Sequence, residues 1–350
     1  LLADGCGAVH AFATEDQRCV LLGSFPCERP AALAPHPWLP VLYLANDCAS
    51  WQDRPRATVE ALALAPDGTP THSLARLPLA LSALAPRSLA LSADGRYLLV
   101  SAFEGGAWNS FSLNKNGIPA PNPGALKEVG SGSSLPGQAT AHPHSILAVN
   151  SSAGQGSLFV GSDYGTDRLS LLEAYSEAAP GYEAVTLAAR YRHQLPAASG
   201  ARHLALHPRS GLVVASCLLR PALHSFRITP GASPALAPLQ SLPLGSAPSA
   251  LAFHPRAGIL YVIHGAAGRT ILTLWQAAAD FGTLHRLEEH DLPAQAAVSL
   301  AVQPNRLWLA GSASLLGLAL DPETGQLAGS MMKPCPVPGL CAMLAHQAPA

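Results

Sequence analysis

AHPHSILAVNSSAGQGSLFVGSDYGTDRL, residues 141–169, sets a short apolar run (Leu158, Phe159, Val160) between two polar clusters. His142, His144 and Ser145 stand before the run; Asp163, Asp167 and Arg168 follow it. Ionisable groups at both ends of a buried strand are how a sheet presents reactive side chains at one rim. A strand that served only a core would not carry them.

Working outward from this stretch, the same grammar recurs: a small or polar entry, alternating apolar residues, a turn, an apolar strand, a polar rim and a further apolar strand. It is read at 28–48, 85–113, 142–172, 200–228, 247–275 and 296–320. Ala32, Ser88, His144, His203, Ala250 and Ser299 mark matching positions, spaced by 56, 56, 59, 47 and 49 residues. Turns within the units are explicit at Ala93-Asp94-Gly95, Pro208–Gly211 and Pro255–Gly258, where Gly and Asp supply the backbone freedom a reversal needs. Leu204/Leu206 and Leu251/Phe253 alternate in period two, as half-buried strands do. The Ala- and Leu-rich stretch 73–91 is broken as a helix by Pro78 and Pro86.

A period near 50 residues with several strands per unit is the signature of a β-propeller with one four-stranded blade per repeat. Six units are internal; residues 8–15 and 19–25 at the front and 335–344 at the back supply a seventh. The expectation is an all-β, seven-bladed propeller of four-stranded antiparallel blades, one domain over residues 1–350. Its ring is closed by N- and C-terminal strands in one blade, which removes the open edge of a linear array.

Composition bounds the partners. Charged residues make up 12% of the chain, about half the usual ~25%, and hydrophobic residues 49%, so the fold is compact and well buried. A formal net charge of −1 gives no global field for nucleic acid or an anionic membrane. No apolar run reaches the ~18 residues of a membrane span. The first ten residues, LLADGCGAVH, do not read as a signal peptide. The cysteines at 6, 19, 27, 48, 217, 335 and 341 include no C-x-x-C pair, which points to thiols in a reducing, cytoplasmic setting and to no metal. No cofactor motif is present either. His207 and His254, each before Pro at a turn, read as turn and capping residues.

Four stretches in order, YLANDCASWQDRPRATVEALALAPDGTP (43–70), GSGSSLPGQATAHPHS (130–145), DYGTDR (163–168) and GARHLALHP (200–208), resemble the seven-bladed propeller lactonase family. That family includes bacterial 6-phosphogluconolactonases and fungal carboxy-cis,cis-muconate cyclising enzymes. The resemblance implies a cleft built on a His before Ser and an Arg before His, met here as His144 and Arg202. It also implies a Glu and a later Arg, but Leu218 and Gly265 stand at those places. Asp47 is a shorter carboxylate where the first unit usually carries Glu, and Arg269 lies close in sequence to the missing Arg.

Opening a lactone needs a base for water and a positive group where the oxyanion develops. His144 suits the first and Arg202 the second, and they hold matching places in consecutive units. Asp163, Asp167 and His203 are candidates for orienting them. The leading expectation is hydrolysis of a sugar lactone such as 6-phosphogluconolactone, with a small-molecule lactone or carboxylate as substrate and neither nucleic acid nor membrane as partner. The alternatives are a lactonising carboxymuconate cycloisomerase and a propeller that has lost turnover and binds a small ligand or a protein.

Overall fold

Strands arranged in seven sheets make up the computed structural model, which describes residues 1–4, 7–15, 18–80, 83–149, 157–176, 185–229, 231–265, 268–292, 297–311, 314–331, 335–336 and 340–343. No helix occurs among them. Six sheets are consecutive antiparallel meanders over residues 30–78, 84–127, 143–194, 201–243, 248–292 and 297–331. The seventh joins Leu340–Met343 to Leu2–Asp4, Ala8–Glu15 and Arg18–Pro26. The first strand of each blade contacts the first strands of both neighbours, and Leu340–Met343 completes that cycle. This is a seven-bladed β-propeller whose termini share one blade. One detail differs from the sequence reading: Cys335 and Pro336 pair with Leu315 and Ser314 in the sixth blade, not the seventh.

Buried apolar residues gather between blades rather than within them. Leu99, Trp108, Ile146 and Phe159 fill the space between the second and third blades. Val160, Leu171, Leu204, Val213 and Phe226 fill the next one. With a neighbour on both faces, a middle strand has no solvent side, so VLYLAN (41–46), LVVASC (212–217) and ILYVIH (259–264) are buried at every position. Gly161 shows how tight the fit is: a Cβ there would meet the Trp108 ring at 2.5 Å. Losing that indole from its slot would cost about 3–5 kcal/mol.

The feature that positions the site is a β-bulge near the start of the first strand in each of blades one to six. A bulge leaves a residue out of the ladder and re-aims its side chain. Proline, which has no N–H to give, stands just before it at Pro30, Pro86, Pro143 and Pro248. Pairing shows that the apolar alignment slips by one residue in the third unit. The Ser145 amide donates to Ser162 Oγ as the His203 amide donates to Ser216 Oγ, so Ser145 and His203 are equivalent. The counterparts of His144 are therefore Arg202 and Arg87.

Candidate active site

His144 and Arg202 stand on first strands of adjacent blades, and the bulges bring them into contact. Arg202 Nε donates to His144 Nε2 across 3.3 Å. Their backbones are pinned by serines of the preceding blades: Ser101 Oγ donates to the His144 carbonyl at 2.8 Å, and Ser162 Oγ to the Arg202 carbonyl at 2.7 Å. His144 is buried, and its Nδ1 has no hydrogen-bond partner. The His203 ring lies edge-on to it, centroids 5.0 Å apart, and His203 Nε2 is also buried and unpartnered.

Electrostatics hold the two imidazoles of this cluster in their neutral forms. Burial, then His203, Arg202 and Arg87, keep the His144 imidazole well below the usual 6.5. Burial and Arg202 push His203 down to about 3. Arg202 is itself lowered, by burial and by its like-charged neighbour Arg87. A neutral imidazole beside a guanidinium keeps an unprotonated ring nitrogen at physiological pH, although burial and the neighbouring charges weaken it as a base.

The two aspartates shape the rim around this pair. Asp163 Oδ1 accepts the amides of His142, Gly165 and Thr166 at 2.9, 2.9 and 3.0 Å. Asp167, in the left-handed region at φ 54°, accepts from Gln138 Nε2 and from the Ala198 and Gly200 amides at 2.6, 2.8 and 2.6 Å. Both therefore hold backbone, and neither hydrogen-bonds the His144 ring. Burial raises the Asp163 carboxyl. Gly165 is required because a Cβ there would collide with the Thr140 carbonyl.

Side chains missed in the sequence complete the surroundings. Phe103 is a hub: it stacks on His142 at 4.3 Å and lies 6.1 Å from His144 and 6.0 Å from Tyr164. Arg87 sits over the same ring at 5.5 Å. The signal that finds Arg87 is the run Pro-x-small, seen as Pro86-Arg87-Ser88 and Pro143-His144-Ser145.

Two expected residues do not join this group. Asp47 pairs with Arg29 at 3.4 Å, and Arg269 pairs with Asp291 at 2.5 Å on exposed strand ends. Leu218 and Gly265 place no ionic side chain near the pair. Among the described residues no three His, Cys, Asp or Glu side chains gather as a metal site. A separate apolar cavity of about 700 Å³ lies between the seventh, first and sixth blades, lined by Phe12, Trp38 and Trp308. It opens by the turns of the opposite rim and contains none of these groups.

The fold is a seven-bladed β-propeller, and comparison with known proteins sets it among the lactonase-type propellers. Residues 9–244 match the model of the lactonase family of seven-bladed β-propellers, so the chain belongs to that family. A candidate 6-phosphogluconolactonase from Bacteroides fragilis shares the fold at a TM-score of 0.80 and 18% identity, over 95% of this chain and 92% of that one. The periplasmic gluconolactonase of Pseudomonas aeruginosa does so at 0.78 and 20% identity, over 95% and 93%. At such identities the likeness is one of fold. A search of curated proteins found no significant match.

Proposed function

We propose that this protein hydrolyses a sugar lactone such as 6-phosphogluconolactone, with His144 as base and Arg202 as oxyanion ligand. The carrying observation is the 3.3 Å contact between Arg202 Nε and His144 Nε2. That contact is long enough to exchange. A lactone carbonyl arriving at Arg202 draws the guanidinium away and frees the Nε2 lone pair. His144 then takes a proton from water as hydroxide forms the new C–O bond, and Arg202 stabilises the charge on the carbonyl oxygen. Collapse breaks the ring C–O bond, and the imidazolium returns the proton to the leaving oxygen.

The reading places the enzyme in the cytoplasm, supported by thiols at Cys19, Cys48, Cys217 and Cys335. The test follows 6-phosphogluconolactone hydrolysis above its spontaneous rate, with wild type and His144→Ala in parallel. The expected result is acceleration by wild type that falls ~100-fold or more in the variant. A folded wild type that gives no acceleration would sink the proposal.

A further inference from the structure

Arg87 was not among the residues that the sequence drew attention to, and the mechanism above does not use it. It occupies the bulge of the second blade, the place that His144 and Arg202 hold in the third and fourth. Its guanidinium lies 5.5 Å over the Phe103 ring, which is itself 6.1 Å from His144. Arg202 in turn touches His144. Among the described residues, no carboxylate pairs with Arg87 or Arg202. Two guanidiniums thus flank one imidazole on three consecutive blades, although like charges so placed repel. Arg202 is partly buried and Arg87 is open to solvent, so Arg87 is the member of the pair that an anionic group of an arriving ligand can reach.

We propose that Arg87 is the seat for the phosphate group of a sugar-phosphate lactone whose carbonyl lies on Arg202, making Arg87 the residue that sets preference for a phosphorylated substrate. This rests on the lactonase reading for the substrate's chemistry, but not for the binding itself. The same seat couples binding to the base. Arg87 helps to hold His144 below its ordinary range, so a phosphate that cancels its field raises the basicity of the imidazole once substrate is bound.

The test is calorimetric titration of inorganic phosphate into wild type, Arg87→Met and Arg87→Lys, with acetate as the monoanionic control. The expected result is phosphate binding that exceeds acetate binding, weakens ~10- to 100-fold in Arg87→Met and is partly kept in Arg87→Lys, the scale of a charged hydrogen bond. Kinetics sharpen it. KM for 6-phosphogluconolactone should rise in Arg87→Met with little change in kcat, and the preference over unphosphorylated gluconolactone should shrink by the same factor. The His144 ring, followed by NMR, should titrate at higher pH with phosphate present in wild type but not in Arg87→Met. Absence of phosphate binding, or binding indifferent to Arg87→Met, overturns the proposal, as does an equal KM rise for both lactones. Arg87-dependent phosphate binding without turnover of either lactone would uphold the seat and defeat only the hydrolysis reading.

Discussion

The two rims of the ring put the same residue type to different uses. On the turn rim, His36, His207 and His254 each open a His-Pro turn and turn Nδ1 onto their own backbone. His36 accepts the Leu39 amide at 3.2 Å, His207 the Arg209 amide at 3.4 Å, and His254 the Arg256 and Ala257 amides at 3.2 and 2.8 Å. His254 Nε2 also donates to the Pro304 carbonyl at 2.9 Å. His207 keeps Nε2 unpartnered, packed among the Phe253 and Phe281 rings. On the other rim no amide reaches His144 Nδ1 or His203 Nε2, and Arg202 is the near neighbour. A hairpin turn offers free amides to a nearby imidazole, whereas a bulge turns the side chain away from the ladder. Strand geometry, more than residue type, decides which histidine caps and which is left for chemistry.

The strongest way to break this contrast is to remove the scaffold of the reactive rim. Asp167→Ala deletes the acceptor for Gln138, Ala198 and Gly200 and leaves the Gln138 and Gly200 donors buried. Denaturant unfolding should show a loss of about 3–5 kcal/mol, and lactone turnover should fall with it as the rim loosens. Full stability in that variant would mean that the rim does not depend on its carboxylate.

A pH series comes next in size. Because His144 is held well below 6.5, chiefly by burial, kcat/KM should stay level as pH falls through 6.5 and decline only in more acid solution. A base of ordinary pKa would be half protonated near 6.5, so a midpoint there excludes His144 as described. Stability carries the same sign. Below about 6.5 the unfolded chain takes protons that the buried rings refuse, so stability is full above that pH. It is lost progressively as pH falls toward about 3, where His203 is protonated. His203→Gln should flatten that acid slope.

Blade number, ring closure and the pair His144 and Arg202 were legible because they rest on periodicity and on side chains in repeated settings. Arg87 was not, although its neighbour Ser88 was marked. An alignment of apolar residues carries no sign of the unpaired residue that a bulge inserts, so the match slid from Ser145 to His144. The contact between Gln138 and Asp167 was opaque for another reason. They are 29 residues apart, and it takes the folded path of the segment leading into the third blade to lay Gln138 on a turn of that blade. Arg269 misled because nearness in sequence to a strand end does not say which way the side chain leaves it; here it leaves toward Asp291.

The smallest effect tests the contrast from the turn rim. His254→Ala removes two caps within its own turn and the link from the fifth blade to Pro304 in the sixth. Part of the turn is open to solvent, and water replaces some of what is lost, so the expected cost is about 1–2 kcal/mol, the range of a helix-type cap or a single hydrogen bond. Denaturant midpoints measure it. Because the turn lies at the far end of the blades from His144, kcat and KM for the lactone should match wild type at temperatures where both proteins are folded. A drop in turnover approaching that of His144→Ala would show that the rims are coupled through the inter-blade core, and the division between capping and chemical histidines would fail.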